Sequence, residues 1–280
     1  MKKVCVVGAG IMGASIAQVF ASKDWKVVLF DTNLELAGKG KQKVEAGLMR
    51  LLQKEKISEE DMKKLLEKIV PSNDLKDAKD CSLAIEAIYE DLEAKQKLFK
   101  QLEQILPEDS ILATNTSSIS ITEIANVLND PARLVGMHFF NPAAVMKLVE
   151  VIGGAHSKEE YIERVIEIAR EIGKVPVKAK ESSGFIVNRI LIPMINEAIG
   201  VLADGVACAE DIDTAMKLGA SHPMGPLALS DLVGNDVVLA IMEVIYNEMS
   251  DTKYRPHPLL KKMVRAGWLG KKTGKGFFEY

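Results

Sequence analysis

The chain has 280 residues, 48% of them hydrophobic and 27% charged, which is enough for two soluble globular domains with separate cores. A net charge of -3 excludes the basic excess that a nucleic-acid surface requires. Three scattered cysteines, Cys5, Cys81 and Cys208, exclude an even disulfide framework and fit a reducing compartment.

Lys2 and Lys3 precede an apolar run that glycine breaks at Gly8, too soon for a signal-peptide core. No stretch approaches the roughly 18 apolar residues that cross a bilayer, so a cytoplasmic protein is expected. Val4–Val7 reads as the first strand. It runs into Gly8-Ala9-Gly10-Ile11-Met12-Gly13, with a helix expected over 13–23 and a second strand over Lys26–Phe30. In that setting Gly8 serves a tight turn, Gly10 lets the backbone approach a pyrophosphate, and Gly13 lets helix and strand pack closely. Ile11 and Met12 sit where the helix N-terminus offers N–H groups to the phosphates. Asp31 ends the second strand. Its carboxylate suits the ribose hydroxyls and repels a 2′-phosphate, which favours NAD over NADP.

Two helices in series follow, over 35–54 and 58–69, with Ser58 as the second one's cap. They are expected to project from the sheet as a hairpin. Lys41, Lys43, Arg50, Lys54 and Lys56 on its first half and turn read, by themselves, as a solvated charged face. The strands Leu83–Glu86 and Ile111–Thr114 then alternate with helices over 91–106 and 120–128. The polar run Asn115-Thr116-Ser117-Ser118 follows a strand's carboxyl end, where doubly wound folds bind ligands, and Ser117 could bond a substrate oxygen.

Leu134–Phe139 and Leu148–Ile152 each carry one residue foreign to a buried strand, His138 and Glu150. A buried carboxylate needs a partner, and an imidazole would serve. Glu150 would then orient His138 as a general base for alcohol oxidation and a general acid for ketone reduction. A helix over 158–172 and a strand over Val175–Val177 complete a mostly parallel, doubly wound α/β sheet. Capping boxes are read at Ser120 with Glu123 and at Ser157 with Glu160.

After residue 182 only helices are expected, over 184–203, 210–218, 226–249 and 256–266. Their apolar faces, with Ile190, Leu191 and Ile195 among them, predict an all-helical second domain that packs against a copy of itself. Asn188 begins it and could reach a cleft between the domains. No HxxxH or CxxC spacing suggests a metal, and no nucleophile motif appears.

The ordered motifs GAGIMG, NTSS, GMHFFNP, VMKLVEV, GFIVNR, HPMGP and GWLGKKTGKGFFEY resemble the L-3-hydroxyacyl-CoA dehydrogenases along nearly the whole chain. The resemblance implies an NAD-binding Rossmann domain over 1–182, with the hairpin near 35–69, and a helical substrate and dimerisation domain over 183–280. It implies hydride transfer between NAD and a short 3-hydroxyacyl-CoA, with 3-hydroxybutyryl-CoA as substrate, in fatty-acid or butanoate metabolism. His138 matches the family's catalytic histidine and Glu150 its orienting acid. Ser117 and Asn188 match substrate contacts. Glu90, Lys95 and Asn115 match positions near the nicotinamide. The family's hairpin lies over CoA, which gives Arg50, Lys54 and Lys56 a binding role. Ala144, Ser183, Ser221 and Ser230 depart from the family's usual residues without removing a catalytic group. Two other readings keep the fold: a dehydrogenase of a free 3-hydroxy acid or sugar acid, and a non-catalytic nucleotide-binding protein.

Overall fold

The computed structural model describes residues 2–280. The chain divides into two compact units that meet at Glu181 and Ser182.

The first unit is built on an eight-stranded sheet in the order β3-β2-β1-β4-β5-β6-β7-β8. The strands are β1 (Lys3–Val7), β2 (Lys26–Phe30), β3 (Ile69–Ser72), β4 (Leu83–Glu86), β5 (Ile111–Thr114), β6 (Leu134–Phe139), β7 (Leu148–Gly153) and β8 (Val175–Lys180). Neighbours are parallel everywhere except β6 and β7. β1, β4 and β5 are near-continuous Val, Ile, Leu and Ala runs because helices cover both faces of a parallel sheet. Phe20, Trp25, Leu29, Ile85 and Phe99 are fully buried or nearly so, and each such side chain contributes roughly 1.5–3 kcal/mol by leaving water.

The helices of this unit are α1 (Ile11–Ala21), α2 (Leu34–Gln53), α3 (Glu59–Glu67), α4 (Leu92–Ile105), α5 (Ile121–Ala125) and α6 (Glu159–Glu171). Asn33, Ser58, Asp91 and Ser120 cap α2 to α5 by accepting from backbone N–H groups. The hairpin does not project freely. Ala37, Gly40, Val44 and Leu48 of α2 are buried, and a Cβ on Gly40 would stand 2.6 Å from that of Ala9. The second helix ends at Glu67, and the edge strand β3 begins where the helix was expected to finish. Ser157 is no cap either. Its hydroxyl donates to Leu134 O and accepts from Gly154 N, and Lys158 precedes α6 without a side-chain cap.

The second unit contains α7 (Val187–Ala203), α8 (Ala209–Gly219), α9 (Pro226–Val233), α10 (Asn235–Met249) and α11 (Pro258–Arg265). Ile195, Ile199, Leu227, Val238, Met242, Ile245 and Leu260 form its core. The single helix expected over 226–249 is two helices. Gly234, at φ +105°, breaks it, a conformation closed to most residues with a Cβ. Asp231, buried at the end of α9, accepts from Asn235 Nδ2, from Phe277 N and Phe278 N, and from Tyr280 Oη. That web holds the C-terminal segment against the break.

Candidate active site

β1, β2, β4, β5 and β6 run parallel, so their carboxyl ends share one edge of the sheet. The glycine turn follows β1 there. Gly8 takes φ +99°, and a Cβ on it would stand 2.6 Å from Ala87 O. A Cβ on Gly13 would stand 1.7 Å from Gly8 O. Gly10 has open space where its Cβ would be. Gly10 is also the N-cap of α1 and brings no side-chain cap, and no acidic residue occupies the first turn. The N–H groups about Ile11 and Met12 and the positive helix end therefore suit an anion. Asp31 accepts from Ala9 N at 2.9 Å and from Thr32 N at 2.8 Å, so the carboxylate braces the turn it also faces. A cleft of about 280 Å³, lined by Gly8, Gly10, Asp31, Thr32, Ile88 and Tyr89, opens beside it. The cradle fits a dinucleotide: open at the glycine that would meet a pyrophosphate, closed at the two that pack on backbone.

His138 and Glu150 stand directly opposite each other in the antiparallel β6–β7 register, so both side chains leave the same face of the sheet. His138 Nδ1 lies 2.8 Å from Glu150 Oε2, and both residues are buried. An ionised carboxylate only accepts, so Nδ1 donates to it. The turn after β6 contains a cis Asn141–Pro142 bond. Ala144 N donates to Ser15 Oγ, and Lys174 Nζ donates to the carbonyls of Ala143 and Met146.

Between these two features lies a buried ionic chain. Glu86, at the end of β4, and Lys95, on α4, are both buried, with Nζ and Oε1 2.5 Å apart. Glu86 also accepts from Thr114 Oγ1 at 2.7 Å and Ile88 N at 2.8 Å. Burial pushes its carboxyl above the usual range, and the Lys95 charge and these hydrogen bonds pull it part of the way back. Lys95 Nζ also lies 3.1 Å from Glu90 Oε2. Glu90 accepts in turn from Ser117 N at 2.6 Å, from Ser117 Oγ at 3.0 Å and from Thr116 Oγ1. Asn115 Oδ1 accepts from Phe139 N and ties the ends of β5 and β6 together. Removing one member of such a buried pair strands the other, at a cost of about 3–5 kcal/mol.

Arg50, Lys54 and Lys56 lie at the exposed end of α2 and in the turn after it. Arg50 and Lys43 line a cleft of about 580 Å³ with Ser15, Gln18, Asn141 and Pro142. Lys54 and Lys56 do not line it. Asn188 stands in the first turn of α7, in the second unit.

Residues 3–182 match the family model described as the NAD binding domain of 3-hydroxyacyl-CoA dehydrogenase, and residues 184–280 match its C-terminal domain. The chain belongs to the 3-hydroxyacyl-CoA dehydrogenase family. Within this family it is 51% identical to the 3-hydroxybutyryl-CoA dehydrogenase of Clostridioides difficile over 99% of each chain. It is 42% identical to the human mitochondrial hydroxyacyl-coenzyme A dehydrogenase, over 100% of this chain and 91% of that one. The crystal structure of (S)-3-hydroxybutyryl-CoA dehydrogenase from Ralstonia eutropha superposes with a TM-score of 0.96 at 47% identity, covering 100% of this chain and 99% of that one.

Sequence reasoning missed two members of the buried ionic chain, Glu86 and Thr114. Glu86 reads as an ordinary strand end, and Thr114 as the last residue of an apolar strand. The signal for Glu86 is a carboxylate closing an otherwise apolar run, with a lysine nine residues later on the next helix. Of the departures from the family's residues, Ser221 occupies a left-handed position at φ +56°, where an asparagine is the more tolerant residue. Ser230 is buried and donates to Asn235 Oδ1 beside the helix break.

Proposed function

We propose that this member of the family interconverts a short-chain L-3-hydroxyacyl-CoA, 3-hydroxybutyryl-CoA foremost, and the corresponding 3-ketoacyl-CoA, using NAD(H). The observation that carries the reading is the 2.8 Å contact between His138 and Glu150, at the edge where the glycine turn opens. Gly8, Gly10, Ile11, Met12 and Gly13 would hold the pyrophosphate and Asp31 the adenosine ribose. Asn115 would meet the nicotinamide end, together with Glu90 and the buried Lys95 behind it. When bound, NAD supplies the hydride acceptor for oxidation and, reduced, the donor for ketone reduction.

The protein's part is proton transfer and positioning. In oxidation His138 Nε2 takes the proton of the 3-hydroxyl as the C3–H bond breaks. Glu150 keeps the imidazole in one tautomer and stabilises its charged form. In reduction the same nitrogen returns the proton to the 3-oxygen. Ser117 and Asn188 are assigned to the oxygens of the substrate, and the cluster of Arg50, Lys54 and Lys56 to the anionic CoA moiety. The helical unit, residues 183–280, is assigned to substrate binding and homodimer formation, and the cytoplasm is the proposed compartment. No helix among the described residues is long and apolar enough to cross a membrane.

The test is a steady-state assay with acetoacetyl-CoA, comparing NADH with NADPH. NADH is the expected substrate. His138→Gln should lower turnover by roughly 10²–10⁴-fold while NADH affinity measured by fluorescence stays near wild type. Near-normal turnover in that variant would remove His138 from the chemistry. Charge reversal at Lys54 and Lys56 should raise the KM for acetoacetyl-CoA. An unchanged KM would favour a free hydroxy acid as substrate.

A further inference from the structure

Glu86 touches neither the His138–Glu150 pair nor the glycine cradle in any contact described above, yet two routes lead from it to Ser117. The first is ionic. Glu86 Oε1 accepts from Lys95 Nζ, whose ammonium also faces Glu90 Oε2, and Glu90 Oε1 accepts from both the amide and the hydroxyl of Ser117. The second runs along the strand end. Glu86 Oε2 accepts from Thr114 Oγ1, and that oxygen accepts from Thr116 N at 3.2 Å. The backbone joins them as well, because Asn115 N donates to Glu86 O at 2.8 Å.

The routes differ in rigidity. Glu86, Lys95 and Thr114 are buried and held by β4, α4 and β5, whereas the Glu90 side chain is 37% exposed on the loop before α4. A half-exposed carboxylate fixes nothing unless something fixes it. The buried ammonium does so, and Glu86 fixes the ammonium. Lys95 also needs Glu86 for its own sake, since a buried cation beside one half-solvated carboxylate is poorly compensated.

We propose that Glu86 is a positioning residue for Ser117, acting through Lys95 and Glu90 on one side and through Thr114 on the other to fix the loop Asn115–Ser118. The proposal rests on the reading of Ser117 as the serine that meets the substrate's oxygen. It assigns a consequence to the Ser117 hydroxyl. While it donates to Glu90, its proton is withheld from the substrate's 3-oxygen, whose own hydroxyl proton goes to His138 Nε2. To serve a 3-ketone it must let go of Glu90 and donate. The carboxylate therefore sets whether the serine's proton is available to the substrate's oxygen, and Glu86 sets the carboxylate.

The experiment is amide hydrogen exchange on the cofactor-free protein, with kinetics on the same variants. Glu86→Gln is isosteric and keeps acceptor capacity. Thr114→Val cuts the second route with no change of charge and guards against a failure of the first variant to fold. The expected result is exchange roughly ten-fold faster or more at the Thr116 and Ser117 amides, with α6 and α7 unchanged. Acetoacetyl-CoA turnover in Glu86→Gln should fall by about ten-fold. Unchanged exchange at 115–118 in both variants would overturn the proposal. So would acceleration spread evenly over the sheet, which is the mark of a merely structural carboxylate. Ser117→Ala separates the two claims. Full activity in that variant sinks the substrate role of the serine, whatever Glu86 does to the loop. A large loss there with normal exchange in Glu86→Gln sinks the positioning role alone.

Discussion

An imidazole and a carboxylate make a proton-transfer device only if they leave the same face of a sheet. The antiparallel register of His138 against Glu150 supplies that condition. Each residue is conspicuous in the sequence because burying a polar group in an apolar strand is costly, so the pair is legible in the sequence alone. The Glu86–Lys95 pair was not. A glutamate closing a strand and a lysine within a charged helix look solvated, and only packing reveals that both are buried. Burial also decides thiol chemistry. Cys5 and Cys81 are buried, and desolvation pushes both thiols up, that of Cys81 to about 11, whereas Cys208 is exposed. A thiol-specific disulfide reagent at pH 8 should therefore modify Cys208 alone in the native protein, and all three cysteines after unfolding in guanidinium. Rapid native labelling of Cys5 or Cys81 would contradict the buried placement of β1 and of the segment leading into β4.

At the level of elements, the glycine turn and α1 act as one unit. A Cβ at position 13 collides with Gly8 O, a backbone atom that can yield only by opening the turn. Gly13→Ala should therefore weaken NADH binding at least ten-fold and lower the melting temperature, measured by fluorescence titration and by thermal unfolding. At Gly10, where the space is open, alanine should spare the melting temperature and weaken NADH binding alone. Element boundaries were less legible than element types. The edge strand β3 was missed because it is four residues long and contains Pro71, which an edge strand tolerates. The split between α9 and α10 was missed because a lone Gly234 inside an apolar helical pattern is a weak stop, and the bonds that brace the break, from Phe277, Phe278 and Tyr280 to Asp231, come from the far end of the chain.

For the whole molecule, that C-terminal web predicts a pH dependence. Burial, then the Asp231 charge, pushes the Tyr280 phenol up to about 12. A folded-state pKa above the unfolded value of about 10 means that the folded state holds its proton more tightly. The contribution is therefore complete below about pH 10 and is lost as pH rises towards 12. Tyr280→Phe should lower stability near neutral pH and flatten its decline over that alkaline window, as read by denaturant midpoints. Dimer formation is testable at the same scale. Ile190 is 68% exposed on α7, a large apolar side chain for a solvated helix. Sedimentation should give twice the 30.7 kDa chain mass, and Ile190→Asp should shift it towards the monomer.

What the sequence determined by itself is everything that follows from local pattern. Apolar runs specified the parallel strands, three glycines between strand and helix specified the tight turn that opens α1, and two polar residues foreign to buried strands specified the His138–Glu150 contact. The tertiary structure decided what depends on distant partners. It joined β6 and β7 in antiparallel register, seated α2 on the sheet, broke a helix at Gly234, and buried Glu86 and Lys95 together behind Ser117. The physical reason is that periodicity and propensity act between neighbours in the chain. Desolvation and charge pairing act between neighbours in space, and those exist only once the chain has folded.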